Sequence, residues 1–519
     1  MYKILIGSFL IVSFQIFSQF SQIDVQSYKI DLTVNDKNDT IRVKEKIVFD
    51  YTDLSKSISF NLTSVNSSGK GMQVLKVMQG KNELDFKHKE NVLMLNNFRP
   101  SSTKKIEIEI HFKGVPIDGL VIGKNKFGAR TFFGDNWPNR AQNWFACNDH
   151  PSDKATVEYV VVAPSHYEVV ANGQLISKKM NKKSVVYHYQ SKVVLPTKVM
   201  VVGIANLSEK QSGTVEGIPV FSAVYPENEQ AAFKDFEIAP SILKFFIDYI
   251  APYEFEKLTN VQSTTRFGGM ENAGCIFYDE HSIGSTRNPE NLIAHEIAHQ
   301  WFGNSASEKD WPHLWLSEGF ATYLTNIYIQ KTKGELAFDT QLIKDRNKVI
   351  AFVKEYKHPV VDDSYTNIMD LLNANSYQKG AWVLHMLRTE IGDSLFQQSI
   401  RTYYKKYRLS NADSKDFQQV VESVSKLDLD WFFKQWLFQA EIPTLKVSDE
   451  IEGKNLKIDI IQKDYVFRFP LVLEVKLQNG KTVFEKIQII EKETLFTKKY
   501  ESEIGSFRID PNVDLLYQE

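Results

Sequence analysis

Cysteine is almost missing from this chain: Cys147 and Cys275 are the only two in 519 residues. That excludes a disulfide-stapled scaffold and any cysteine-based zinc cluster. It leaves either a single bridge in an oxidising compartment or two buried free thiols. An excess of charge is missing too. Lys and Arg total 62 against 64 Asp and Glu, a formal net charge of −2, with no long run of like charge. The summed field therefore offers no attraction to nucleic acid or to an anionic membrane. Internal repeats and low-complexity tracts are lacking as well, so function must be sought in a local site.

What stands first is Met1-Tyr2-Lys3 followed by an apolar run from Ile4 to Phe17, with Ser18 and Ser21 as small residues where a signal peptidase can cut. The run falls below the roughly 20 residues needed to span a bilayer. It reads as an export signal over residues 1–21 rather than a buried strand or an anchor helix. No cysteine follows it to accept a lipid, and no later segment has a transmembrane pattern. The expectation is an exported protein, periplasmic or extracellular, with no integral membrane segment after signal removal.

At 43% hydrophobic and this length, the chain exceeds one ordinary core. From residue 22 to residue 207 the apolar pattern has a period of two, as in Ile41, Val43, Ile47 and Phe49, or Ile106, Ile108, Ile110 and Phe112. Turn clusters such as Ser67-Ser68-Gly69 separate these runs, which predicts an antiparallel sheet domain. After the turn-rich stretch 213–228, Ile238, Leu243, Phe246 and Ile250 approach helical spacing, and a mainly helical domain is expected over 208–441, with a small sheet near 258–283. Alternation returns in Leu456, Ile458 and Ile460, and Asn479-Gly480 reads as a two-residue hairpin turn in a small β domain over 442–519.

The strongest motif is Ala294-His295-Glu296-Ile297-Ala298-His299, which fits H-E-x-x-H. On a helix this spacing projects both imidazoles from one face, one turn apart, where they can grip a single zinc ion. A hydrolytic zinc site takes three protein ligands and keeps one position open. Glu318, in Leu316-Ser317-Glu318-Gly319, is the candidate third ligand, because Trp301-Phe302-Gly303-Asn304 breaks the first helix and lets a second return past it. Glu296, between the two histidines, is then the candidate general base: it can reach a water at the ion without coordinating it.

Arg266-Phe267-Gly268-Gly269-Met270-Glu271-Asn272 precedes the histidines. Gly268 and Gly269 let backbone approach an extended substrate, and Glu271 offers a carboxylate opposite a charged amine, which distinguishes an exopeptidase from an endopeptidase. Tyr377, in Ser376-Tyr377-Gln378-Lys379-Gly380, heads a helical run. Local sequence leaves it either a packing residue or a phenol donating to an oxyanion.

Together, Gly268 to Asn272, His295 to His299 with Glu318, and Tyr377-Gln378-Lys379-Gly380 resemble the aminopeptidase N family of zinc metallopeptidases, gluzincins with a thermolysin-like catalytic domain. Cys147-Asn148-Asp149-His150-Pro151 and Leu429-Asp430-Trp431-Phe432-Phe433 extend the resemblance over most of the chain. It implies a multidomain α+β architecture: an N-terminal β saddle, a mainly helical catalytic domain and a small C-terminal β-sandwich. It also implies one zinc ion per chain on His295, His299 and Glu318, with Glu296 as base. Tyr377 is then the transition-state donor, and Gly268, Gly269, Met270, Glu271 and Asn272 form the substrate-binding segment for peptides with a free N-terminus. Two departures stand out. Many relatives place a Gln or Glu near the substrate amine where this chain has Asp135-Asn136-Trp137-Pro138-Asn139-Arg140, and an Asp where it has His313. The competing readings are a thermolysin-type endopeptidase, which would not need Glu271, an epoxide hydrolase, and a noncatalytic scaffold.

Overall fold

The structure, a computed structural model, describes residues 23–51, 58–96, 98 and 105–519. The expected export signal lies outside the described residues. Among those described, no helix is long and apolar enough to cross a membrane. The chain divides into two compact units, Met1–Glu237 with Glu254–Arg287, and Ile238–Tyr253 with Asn288–Glu519.

The first unit is built on an eight-stranded sheet, ordered Gln174–Met180, Ser184–Pro196, Lys154–Pro164, Ile23–Thr33, Ile41–Tyr51, Lys105–Val115, Gly71–Gln79 and Asn82–Leu84. The period-two pattern does what strand geometry requires: in Ile41–Tyr51, Ile41, Val43, Ile47 and Phe49 are buried while the alternate residues face outward. Each such side chain contributes about 1.5–3 kcal/mol by leaving water. The sheet is antiparallel except at Ile23–Thr33 against Lys154–Pro164, which run parallel. Nothing in local patterning distinguishes that pairing, since it depends on how strands far apart in sequence return.

Besides a four-stranded and a three-stranded sheet, the same unit holds the five-stranded sheet that carries the glycine-rich segment: Ser208–Val215, Ile218–Val224, Leu258–Ser263, Cys275–Asp279 and, at its edge, Gly269–Met270. The stretch 213–228 is thus partly a hairpin, with a register shift between Gln211 and Gly213 and a turn at Glu216-Gly217, both at positive φ. The bulge breaks the alternation that marks a strand in sequence. Helix α1 (Glu229–Phe236) follows.

The second unit is mainly helical. It comprises α2 (Ala239–Tyr249), α3 (Glu290–Ala298), α4 (Trp315–Lys333), α5 (Glu335–Glu355), α6 (Gly380–Ile391), α7 (Asp393–Tyr407), α8 (Ser414–Ser425) and α9 (Asp430–Phe438). Every residue of α4 from Trp315 to Ile329 is buried, so the helix passes through a core and carries Ser317, Glu318, Thr322, Thr325 and Asn326 inside it. Beyond α9 come two three-stranded sheets, Leu445–Glu452, Asn455–Gln462 and Glu493–Lys499, then Thr482–Ile489, Phe469–Leu477 and Ile504–Ile509. Their inward residues, among them Ile458, Ile460, Leu471, Leu473 and Val475, are buried. The Asn479-Gly480 turn is longer than its sequence suggests. Leu477 N–H donates to the Lys481 carbonyl, and of the loop residues only Gly480 takes positive φ, the mark of a three-residue loop rather than a two-residue type I′ turn.

Cys147-Asn148-Asp149-His150-Pro151 forms a buried turn in the first unit, and both cysteines are buried free thiols. Asp149 accepts from Thr197 Oγ1 at 2.7 Å and from Gln142 N–H at 3.1 Å. Asp153 accepts from Asn148 Nδ2 at 2.5 Å and from Val25 N–H at 3.2 Å. Burial outweighs these bonds, pushing Asp153 up to about 8 and Asp149 up to about 6. The folded state therefore holds protons that the unfolded chain releases near pH 4. The stabilisation is complete below about pH 4 and is lost as pH rises through about 6 and then about 8. Scanning calorimetry should record a falling unfolding temperature for this unit from about pH 4 to about pH 8. Asp153→Asn, which has the shape of the acid but cannot ionise, should flatten the upper part of that fall.

Candidate metal centre and substrate segment

Helix α3 starts after Pro289 and carries His295 and Glu296; His299, just past its end, keeps helical dihedrals and donates its amide to the His295 carbonyl. One turn therefore separates the two imidazoles, which meet edge to face at 4.7 Å between centroids. The chain then reverses. Asn304 N–H returns to the His299 carbonyl, Gly303 takes φ of 116°, and Ala306–Glu308 pairs with Ser410–Ala412. A short turn at Trp311–His313, capped by the Asp310 carboxylate on Trp311 N–H at 2.8 Å, launches α4. Phe320 fixes the rotation of α4 by packing on Phe302 at 4.5 Å and Phe417 at 5.2 Å. That rotation brings Glu318, in the first turn of α4, onto the face of α3 that bears the histidines.

Glu318 Oε2 lies 3.5 Å from His295 Nε2 and 3.2 Å from His299 Nε2, and the two imidazole nitrogens are 3.1 Å apart. His299 Nδ1 faces the Phe302 carbonyl at 3.2 Å and Ser317 Oγ at 3.1 Å. A carbonyl can only accept, so Nδ1 carries the proton and Nε2 turns a lone pair inward. Glu318 Oε2 is buried and accepts no hydrogen bond. His299 Nε2 thus turns a lone pair toward Glu318 Oε2, with His295 Nε2 beside both, a donor set that suits a cation. The spacing fits one: ligand atoms about 2.1 Å from a tetrahedral zinc lie about 3.4 Å from each other. Burial opposes charge at Glu318, but the two imidazoles outweigh it and hold the carboxyl well below the usual range. At His295 burial lowers the pKa against the pull of Glu318, favouring the neutral, ligating form.

The other expected residues of this unit fall beside the three. Glu296 is buried at 4% exposure. Tyr377 sits on a single π-helical turn, Asn375–Lys379, that runs into α6. Its ring lies nearly parallel to that of His295, 15° apart with centroids at 6.1 Å. The turn can come this close because two glycines meet at the crossing. A Cβ on Gly319 would stand 2.9 Å from the Gly380 carbonyl carbon, and one on Gly380 would stand 3.2 Å from Gly319 Cα. His313, by contrast, serves structure. Its Nδ1 meets Ser414 Oγ at 2.9 Å, which also accepts from Trp315 Nε1 at 2.8 Å, so the start of α4 is pinned to the start of α8.

Gly268 to Asn272 belong to the first unit. Gly269–Met270 is the last strand of its sheet, pairing on one side with Phe277 and Tyr278, and Glu271 is 5% exposed. Both ends of the segment are clamped within that unit. Arg266 grips Asp118 through two bonds of 3.0 and 2.6 Å, and Phe267 lies between the Trp137 ring and the Arg140 guanidinium. Asn172 Nδ2 donates to the Ala273 carbonyl at 2.8 Å. The unusual stretch 135–140 is consumed in this brace. Asp135, fully buried, accepts from Arg140 at 2.5 Å, and Asn136 donates to the Thr197 and Met200 carbonyls.

The sequence does not mark Ser317, Asp118 or Asn172, and it shows Gly303 only as part of the break after the first helix. Gly303 alone left a signal, as a glycine where the chain must reverse. Its function is testable. A Cβ there would lie 2.3 Å from Ser317 Oγ and 3.0 Å from His299 Nδ1, at a φ that side chains avoid. Gly303→Ala should therefore weaken zinc affinity about 10- to 100-fold in a chelator competition, with far-ultraviolet circular dichroism unchanged. Ser317→Ala, which leaves the Phe302 carbonyl in place, should cost less.

Residues 25–199 match the peptidase M1 N-terminal domain and residues 234–436 match the peptidase family M1 domain. The chain is 25% identical over 472 residues to a leucyl aminopeptidase of Saccharolobus solfataricus, an alignment covering 85% of this chain and 58% of that protein. It is 30% identical over 347 residues to aminopeptidase M1-A of Oryza sativa subsp. japonica, covering 63% and 39%. Among solved structures, an aminopeptidase A of Legionella pneumophila in complex with aspartic acid superposes with a TM-score of 0.82 at 16% identity, over 96% of this chain and 59% of that one. The chain thus spans no more than about three-fifths of the length of these proteins. With both M1 domains present in order and its α+β architecture matching an M1 aminopeptidase, this chain belongs to the peptidase M1 family.

Proposed function

We propose that this protein is a zinc-dependent aminopeptidase that removes the N-terminal residue from peptides. The observation that carries the reading is the convergence of His295, His299 and Glu318 on one point, with Glu296 and Tyr377 beside it. A single zinc ion held there by His295, His299 and Glu318 would supply Lewis acidity and make the attacking water more acidic. The remaining work belongs to side chains. Glu296 takes a proton from the attacking water and returns it to the amine nitrogen as the C–N bond breaks, so that water is added across the peptide bond and the protons balance. The Tyr377 phenol donates to the carbonyl oxygen as negative charge builds on it. Glu271 pairs with the substrate's α-ammonium, and the open edge of Gly269–Met270 receives the extended peptide by strand addition. The aminopeptidase relatives support this choice over an endopeptidase.

Amino-acid anilides, tested beside N-terminally blocked peptides, decide the matter. Cleavage of free-amine substrates should vanish with a chelator and return with zinc, and strong cleavage of blocked peptides would overturn the exopeptidase reading. Glu296→Gln should keep its zinc and lose about 10²- to 10⁴-fold in kcat. Glu271→Ala should raise KM for free-amine substrates with unfolding temperature little changed. Export is proposed on the strength of residues 1–21. N-terminal sequencing of protein recovered outside the cytoplasm should begin near residue 22, and a start at Met1 counts against it.

A further inference from the structure

The π-helical turn that presents Tyr377 ends on Lys379, whose side chain is wholly buried. A lysine ammonium has three hydrogens and no acceptor. Here it meets three successive backbone carbonyls, of Gln439 at 2.9 Å, Ala440 at 3.1 Å and Glu441 at 3.4 Å. These carbonyls lie just past the C-terminus of α9, where the helix dipole favours a cation. Burial nevertheless pulls the Lys379 pKa down to about 7, with Glu441 pulling the other way. A buried ammonium is an expensive way to fill space, because a methionine would pack there with no desolvation cost. What a methionine could not do is fix the direction of the turn.

The surroundings make this a rigid mount. Val361 N–H donates to the Leu437 carbonyl, and Asn375 Nδ2 donates to the carbonyls of His358 and Pro359. Ser376 Oγ donates to the Leu371 carbonyl at 2.7 Å. The next residue, Gly380, is pressed against Gly319, the neighbour of Glu318. The turn is therefore held at four places: the short side chains of Asn375 and Ser376, the backbone contact at Gly380, and the long reach of Lys379. Past Glu441 the chain enters the C-terminal sheets at Leu445.

We infer that Lys379 is a positioning residue for Tyr377: by seizing the three carbonyls that follow α9, it sets the π-helical turn so that the phenol is aimed for transition-state donation. The inference rests on the proposed aminopeptidase reaction. A group that acts only through Tyr377 loses its effect when the phenol is gone, which gives a clean test.

The experiment is a double-mutant cycle on purified zinc-loaded protein with an amino-acid anilide. Tyr377→Phe should cost about 100-fold in kcat, the usual cost of one oxyanion donor. Lys379→Met should cost about 10- to 100-fold in kcat with KM and zinc content nearly unchanged, since displacement of a catalytic group by an ångström has that order of effect. In the Tyr377→Phe background the same substitution should cost less than about threefold. Lys379→Gln, which keeps two donors, should fall between wild type and Lys379→Met, and it serves for the whole cycle if Lys379→Met does not fold. In metal-free protein, amide exchange at residues 377–381 should quicken in the variants while that of α3 stays the same. Equal losses in both backgrounds, or an unchanged kcat, would overturn the inference while leaving the aminopeptidase reading intact. A wild-type protein inactive on every free-amine substrate would instead overturn the reaction on which it depends.

Discussion

Three close-set polar groups set the terms for the second unit. Two imidazole nitrogens and a carboxylate oxygen lie within 3.1 to 3.5 Å of each other, and two of the three groups are almost wholly withdrawn from water. Such a cluster persists only if the scaffold is rigid, and the structure around it supplies that rigidity. Helix α4 is buried along most of its length, a ladder of Phe302, Phe320 and Phe417 locks its rotation, and the Trp315–Ser414–His313 chain pins its start. In the proposed zinc enzyme, metal binding would return the free energy spent in bringing these groups together, which couples folding to loading.

How much of this was legible in the sequence depends on the range of the interaction. His295 and His299 were readable because their relation is one helical turn, fixed by backbone geometry alone. Glu318 required one further step, a chain reversal, and Gly303 marked it. Tyr377 was ambiguous by local pattern, since its role turns on Gly319 and Gly380 meeting across a helix crossing. Ser317 was hidden for a different reason. A small polar residue beside a ligand resembles any other serine until the reversal brings it to Nδ1 of His299. Lys379 stands in the sequence only within the Tyr377 motif, and only the fold reveals that three carbonyls await it.

The first unit shows the same limit at larger scale. Alternating hydrophobicity marked the strands and their buried faces but could not give the parallel pairing of Ile23–Thr33 with Lys154–Pro164, nor the bulged hairpin before α1. Alternation also carried a charge into the core: Glu45 occupies an inward position of Ile41–Tyr51, fully buried, and accepts from Ala146 N–H at 2.8 Å. The acid of the stretch 135–140 is committed to structure. Asp135 and Asp118 between them neutralise Arg140 and Arg266, and this brace fixes the approach to Gly268.

The C-terminal sheets bear on the chemistry through the same helix that carries the tyrosine turn. His385, in the middle of α6, is pulled down to about 4 by burial and is therefore neutral. It bonds Tyr323 of α4 through Nδ1 and the Val513 carbonyl through Nε2. Since that carbonyl can only accept, Nε2 holds the proton, and Nδ1 receives the phenol's. On α5, Arg346 reaches Asp510 at 3.1 Å and the Leu515 carbonyl at 3.2 Å. These contacts fasten α4, α5 and α6 to residues 510–515, while Lys379 fastens the start of α6 to the chain entering those sheets. A helix held at its middle and its start by elements beyond the catalytic helices cannot roll without breaking buried polar bonds, each costly to leave unmade. The small β domain thus acts as the outer wall of a frame whose inner edge is the crossing of Gly319 and Gly380.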